Sequence, residues 1–269
     1  MKYSKITLKS DYVLPYRFIG STVRGAFGVG LKKVVCINPS KTCKDCFASE
    51  GCLFYDFFET SNPKFRLNLE KGGDLNFNIF LFEEASEKAP YVISAIYKAF
   101  SEIGITKNKI KPEFKLFFND KLIFDKEFKK FENSPMDFQE ETISKSKSTV
   151  NIILKTPLRV KENNRFVRDG IKVETVLRSI YHRYLKLQNK IPQKLPFTPE
   201  FQIKNQNFSF LEFRRFSNRQ KTSMNFGGIV GKIELDYIDE NSYKLLKIGE
   251  IIGVGKQVTF GLGRIEIED

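Results

Sequence analysis

Ile6–Ser10 reads ITLKS and Ile152–Thr156 reads IILKT, and each opens a half of the chain with the same order of pattern behind it. Outward from ITLKS, a strand over Lys2–Ser10 leads into a helical period from about Tyr16 to Val35. Strand-like runs follow at Phe65–Leu69 and Leu75–Phe82, then a helix over Glu83–Ile103 and strands at Lys111–Phe118 and Lys121–Phe124. Outward from IILKT, a strand over Thr149–Lys155 leads into a helix over Val173–Gln188. Long strands come next at Phe201–Arg215 and Phe226–Tyr237, then a short helix near Glu240–Ile248 and a last strand at Arg264–Glu268. Both halves read β-α-β-β-α-β, so the expected class is α+β: two tandem ferredoxin-like (RRM-like) βαββαβ domains. The polar stretch Lys126–Ser148 is the expected linker. Residues 1–140 would be the N-terminal domain with a cysteine-rich insertion, and residues 141–269 the C-terminal domain with a terminal glycine-rich loop.

The charge is unevenly placed. The chain has 269 residues and a formal net charge of +13, with 41% hydrophobic residues, enough to build cores. Between Lys145 and Lys232 there are 19 Lys and Arg against five Asp and Glu, so the excess lies in that third of the chain. A confined basic excess points to a polyanion partner, the alternative being a merely soluble basic surface. No window of about 18 apolar residues exists, and MKYSKITLKSDYVL lacks the apolar core of a signal peptide, so a cytoplasmic protein with no membrane partner is expected.

Two C-terminal stretches carry the chemistry. IGVGKQVTFGLGRIEI sets the pair Gly253 and Gly255 apart from the pair Gly261 and Gly263 by five residues, Lys256 and Gln257 among them. Paired glycines allow positive φ and a backbone close to phosphate, with Lys256 and Gln257 as side-chain contacts. A strand follows and no long helix does, so this is neither a dinucleotide fingerprint nor a P-loop; a plain glycine turn is the alternative. Upstream, Arg214, Arg215, Arg219, Gln220 and Lys221 cluster in RRFSNRQK, where guanidinium forks suit phosphates and bases; a solvated hairpin tip is the alternative.

Arg215-Phe-Ser-Asn-Arg-Gln220, then Gly227-Gly-x-x-Gly231, then Gly253-x-Gly-Lys-x-x-x-Phe-Gly-x-Gly263 resemble the CRISPR precursor-crRNA-processing endoribonucleases of the RAMP superfamily. YRFIGSTVRGAFGVGLKKVVC, YDFFET and TPLRVKENNRF agree, so the resemblance covers most of the chain. It implies tandem ferredoxin-like domains, a CRISPR repeat RNA or precursor crRNA partner, and endonucleolytic cleavage by 2′-hydroxyl transesterification without a catalytic cofactor. It also implies an alternative, a non-catalytic RAMP subunit holding repeat RNA or crRNA among other CRISPR effector subunits.

Such cleavage needs a base, an acid and cations around the phosphorane. The family often places a histidine in or near the first helix, and this chain has none there. Its only histidine, His182, lies between Arg178 and Lys186 at one-turn spacing, opposite the apolar face of Val173, Leu177, Ile180 and Tyr184. The catalytic candidates are therefore His182, Lys32 and Tyr16, with Arg24 and Lys33 as RNA contacts beside them. On the first helix, Ser21, Gly25, Gly28 and Lys32 fall opposite Val23 and Phe27. Gly20, Gly25, Gly28 and Gly30 there cost about 3–4 kcal/mol against alanine, which implies close approach of RNA or of the other domain's backbone, tight helix-on-sheet packing being the alternative.

Cys36, Cys43, Cys46 and Cys52 form C-x6-C-x2-C-x5-C. Four thiolates so spaced suit a structural zinc that pins the loop, with an iron–sulfur cluster, reduced thiols and disulfides as the other readings. Four cysteines leave no open position for catalysis.

Overall fold

The computed structural model describes residues 1–16, 18–39, 42–70, 72–138, 147–217 and 222–269. Its internal contacts divide the chain into two units, Met1–Phe138 and Gln139–Asp269. No helix among the described residues is long and apolar enough to cross a membrane.

The first unit runs β1 (Lys2–Lys9), α1 (Gly20–Val35), a short α2 (Leu53–Phe58), β2 (Phe65–Leu69), β3 (Phe77–Phe82) and α3 (Ala89–Tyr97). It then adds β4 (Lys115–Phe118), β5 (Lys121–Asp125) and two-residue strands β6 (Glu127–Phe128) and β7 (Met136–Asp137). The sheet order is β2-β3-β1-β4-β5-β6, with β7 on β1, and every pairing is antiparallel. The first four strands thus take the ferredoxin-like order. In β1 the alternation is plain: Ser4, Ile6 and Leu8 are buried while Lys5 and Thr7 are not, as one covered sheet face requires. Val23, Phe27 and Leu31 recur every four residues on α1 and are fully buried in the core with Phe57, Phe65 and Phe100.

Several elements differ from the expected bounds, α1 and the Glu83–Ile103 stretch among them. Tyr12 and Leu14 hydrogen-bond to Leu75 and Gly73, and Val13 and Phe18 bridge to Asp74 and Gly72, so α1 begins at Gly20 rather than Tyr16. The expected Glu83–Ile103 helix is three pieces: a 3-10 turn over Glu83–Lys88, α3, and a π-helical turn over Lys98–Ile103 that stops at Gly104, φ +84°. Within the expected linker, β6 and β7 add to the first sheet; residues 139–146 lie outside the described residues.

The second unit runs β8 (Lys147–Leu158), β9 (Lys161–Glu162), β10 (Arg165–Phe166), α4 (Val173–Leu187), β11 (Phe201–Ser217), β12 (Thr222–Ile238), α5 (Glu240–Ile252) and β13 (Ile265–Glu268). Its main sheet has the order β11-β12-β8-β13, the same ferredoxin-like arrangement, all antiparallel. Helices α4 and α5 pack together, and Gly249 makes room: a Cβ there would meet Ile180 Cδ1 at 2.6 Å.

Candidate functional site

The terminal glycines fold the chain onto itself. Gly253, Gly255, Gly261 and Gly263 all have positive φ, from +71° to +85°. A Cβ on Gly263 would lie 1.8 Å from the Val254 carbonyl oxygen, and one on Gly255 would lie 2.6 Å from that of Arg159. The loop's amides are spent internally. Val254 donates to Gly263 O, Lys256 to Arg159 O and Gly263 to Pro157 O, while Gly255 donates to the Ser179 hydroxyl at 3.0 Å. Glycines placed for a phosphate cradle therefore serve first to let backbone meet backbone. Gly253, Gly261 and Gly263 are buried, and Lys256 is the exposed residue of the loop. Gln257 is itself left-handed, φ +65°, and its buried Oε1 has no hydrogen-bond partner among the described residues.

Bonded to that loop is a hairpin the element reading missed. Asn163 and Asn164, φ +46° and +65°, turn β9 into β10, the double positive φ of a type I′ turn. Asn-Asn between Glu162 and Arg165 was the available signal. On this hairpin Phe166 gathers cations. Arg159 Cζ lies 3.9 Å from its ring centroid, Lys161 Nζ 5.2 Å and Lys256 Nζ 5.9 Å. Arg159 also donates to Gly227 O at 3.0 Å. Desolvation lowers the Arg159 pKa, against the opposing pull of Glu212. A Cβ on Gly227 would lie 2.8 Å from Phe210, over whose ring the Arg168 guanidinium stands 4.7 Å from the centroid. Gly228 likewise admits the backbone of Leu158. Sequence reasoning did not single out Arg159, Lys161, Phe166 or Arg168, because they converge only when β9–β10 folds against the glycine loop.

On β11, Arg214 and Arg215 are in register with Asn225 and Met224 of β12. Arg219 and Gln220 lie outside the described residues. On α4, Arg178 and Lys186 are exposed, and His182 Nε2 is 3.0 Å from the Gln193 carbonyl oxygen. A carbonyl only accepts, so Nε2 carries the proton there and Nδ1 is the basic nitrogen of the neutral ring.

In the first unit, Arg24, Gly28 and Lys32 form one stripe of α1 against α2. Arg24 Cζ stands 4.6 Å from the Phe58 centroid and Lys32 Nζ 5.7 Å from that of Phe54, with the two rings stacked at 5.0 Å. Gly28 is buried, correcting its expected place on the open face: a Cβ would meet Phe58 at 2.9 Å. Gly30 admits the Ala95 carbonyl oxygen, and Gly25 has nothing within 4 Å. Lys33 is exposed in the last turn. Tyr16 is 48% exposed and precedes α1, while Lys32 sits in its last turn, so the two stand at opposite ends of a helix stretch about 18 Å long.

The four cysteines are half-buried. Cys36, Cys46 and Cys52 line one pocket, and Cys43 has its pKa raised, first by desolvation and further by Cys36 and Cys52. Among the described residues, no three of His, Cys, Asp and Glu stand together as a group that could hold a metal ion.

Comparison with known proteins adds the following. The model of the CRISPR-associated endoribonuclease Cas6 family matches residues 152–265. A second family model, described as an N-terminal domain, matches residues 3–135. An uncharacterized protein of Archaeoglobus fulgidus is 23% identical over 96% of this chain and 93% of its own length. A solved Cas6 product complex aligns over 99% of this chain and 98% of its own, with a TM-score of 0.59 and 14% identity. Thermus thermophilus Cas6 aligns over the same shares, with a TM-score of 0.56 and 12% identity. Likeness at that identity fixes the fold.

Proposed function

We propose that this chain, a CRISPR-associated protein of the Cas6 (RAMP) type, binds CRISPR repeat RNA and cuts precursor crRNA within its repeats by metal-independent transesterification. The observation that carries the RNA reading is the cation group at Phe166, set on the Cas6-matching unit beside exposed Lys256. Phosphate contact by Arg and Lys is the sequence-blind part of such binding.

In the proposed reaction the ribose 2′-oxygen attacks the adjacent phosphorus and gives its proton to a base. The 5′-oxygen leaves and takes a proton from an acid. The products are a 2′,3′-cyclic phosphate and a 5′-hydroxyl. The nucleophile belongs to the substrate, so the protein need supply only proton transfer and positive charge. His182 Nδ1 is the base we assign, with Lys32 and Tyr16 as further candidates; Arg24, Lys33, Arg178, Lys186, Arg214, Arg215, Arg219 and Gln220 are assigned to RNA contact. The terminal glycines act through the loop they shape, which carries Lys256 and Gln257. The cysteine loop is a structural element apart from this chemistry, and no step passes through a metal. We place the protein in the cytoplasm, where this RNA is made.

A second reading has its own support: Tyr16 lies before α1 and Lys32 in its last turn, and His182 is engaged with Gln193. In that reading the chain holds repeat RNA or crRNA, with other effector subunits, and does not cut.

The experiment is incubation of repeat RNA with the purified protein in chelating buffer. The enzyme reading expects product ending in cyclic phosphate, and a cleavage rate about 100-fold or more lower for His182→Ala. Tight, salt-sensitive binding with no product selects the second reading. An unchanged rate in His182→Ala removes the histidine from the chemistry.

A further inference from the structure

The loop between α1 and α2 is not ordered by apolar burial. Cys36 is the C-cap of α1 and Cys52 the N-cap of α2, and between them none of the described residues is buried. Ile37 is 74% exposed and Phe47 83%, so the usual return for fixing a loop's backbone is missing. The half-buried members of the loop are Asn38, Cys43, Cys46, Ala48 and Ser49, and Cys36 and Cys52 are half-buried at its ends. What the loop turns inward is mainly sulfur.

The chain bends at the thiols. Cys46 N donates to Cys43 O at 3.5 Å, Ser49 N to Cys46 O at 3.1 Å and Cys52 N to Ser49 O at 3.2 Å, in successive tight turns. Cys46 and Cys52 thereby reach the cavity that Cys36 also lines, and Cys43 comes within electrostatic reach of Cys36 and Cys52. Lys88 lines the same cavity and Lys32 acts on Cys43, with Glu50 and Glu59 as opposing charges. Helix α2 needs support of its own. Six residues are too few to hold a helix in water, and its start has no side-chain cap. Yet α2 puts Phe57 into the core and stacks Phe54 on Phe58, the rings that meet Lys32 and Arg24.

We propose that Cys36, Cys43, Cys46 and Cys52 bind one zinc ion as four thiolates, clamping the end of α1 to the start of α2. Zinc takes soft ligands in a closed tetrahedron and has no redox change to offer, so the site is structural. Each thiol gives its proton to solvent as its sulfur–zinc bond forms. Among the described residues no three such groups stand ready-made for a metal, so the ion draws the loop together and binding is coupled to ordering. The closed site is doubly negative, which Lys32 and Lys88 offset.

The clamp is independent of the RNA reading, and its test uses no RNA. The reduced, metal-stripped full chain is titrated with cobalt(II) or zinc alone. One equivalent of cobalt should give the sulfur-to-metal charge-transfer band and strong visible bands of a tetrahedral tetrathiolate, abolished by zinc. Cys43→Ser should weaken zinc binding about 100-fold or more, while Ser49→Ala leaves it unchanged. Zinc should also slow hydrogen exchange at the α2 amides by about 10-fold or more and leave β1 as it was, a readout that needs no variant. A chain with four reduced thiols that gives no tetrahedral cobalt spectrum overturns the site. Iron with acid-labile sulfide in the protein as isolated overturns zinc in favour of a cluster, and paired disulfides there overturn it in favour of cross-links. Zinc bound with unchanged exchange at α2 overturns the clamp.

Discussion

At Gly263, φ +71°, an added Cβ would sit 1.8 Å from a backbone oxygen that cannot move without unmaking the loop. At Gly25, in mid-helix, it would meet nothing within 4 Å. Gly263→Ala should therefore destabilise the protein by at least about 2 kcal/mol, while Gly25→Ala should stabilise α1 by about 0.5–1 kcal/mol. Thermal unfolding of the two variants checks both signs, and an RNA titration of Gly25→Ala reports whether RNA comes close there: affinity should fall if it does. The sequence showed that these glycines were costly and therefore used. What it did not show is whose backbone they admit, because Val254 and Arg159 approach only after the chain has turned twice. Arg159 and Phe166 were hidden for a similar reason. Neither is unusual in sequence, and their contact with Lys256 joins residues about 90 positions apart.

Helix α5 is held at both ends by side chains. Asp239 caps its start, accepting from Ser242 N at 3.0 Å and from Glu200 N at 2.8 Å. At its end Arg183 Nε donates to Ile252 O at 2.8 Å, from a site whose desolvation pushes the guanidinium down to about 10. Burial alone would raise the Asp239 pKa, but the hydrogen bonds from Ser242 and Glu200 outweigh it and the net direction is down. The sign follows: a depressed carboxyl stabilises the fold above its unfolded pKa of about 3.9 and loses that contribution as pH falls through the lower folded value. Asp239→Ala should cost about 1 kcal/mol at neutral pH, with the gap to wild type narrowing in acid. Asp239→Asn should keep most of the cap without that acid dependence, and denaturant unfolding across pH measures both. Elements with long clean periods, such as α4 and the β11–β12 pair, were legible in sequence. The divisions inside Glu83–Ile103 were not, since Pro90 opens α3 partway along it and its last turn becomes π-helical before Gly104 ends it.

Across the whole chain, the repeated element order and the local basic excess were legible before any coordinates: both units have the ferredoxin-like strand order, and the cation group lies between Lys145 and Lys232 apart from Lys256. The cysteine spacing was equally visible, yet proximity along a chain does not by itself fix four sulfur positions in space. In the proposed reaction the RNA supplies its own nucleophile while the protein supplies charge and proton transfer. Its most direct test is repeat RNA carrying a single 2′-deoxyribose at the scissile nucleotide, compared with the all-ribose strand in chelating buffer. Transesterification should cut the ribose strand to a cyclic phosphate and leave the deoxy strand intact but bound with similar affinity. Cleavage of the deoxy strand, or cleavage of either strand only when magnesium is added, would contradict it.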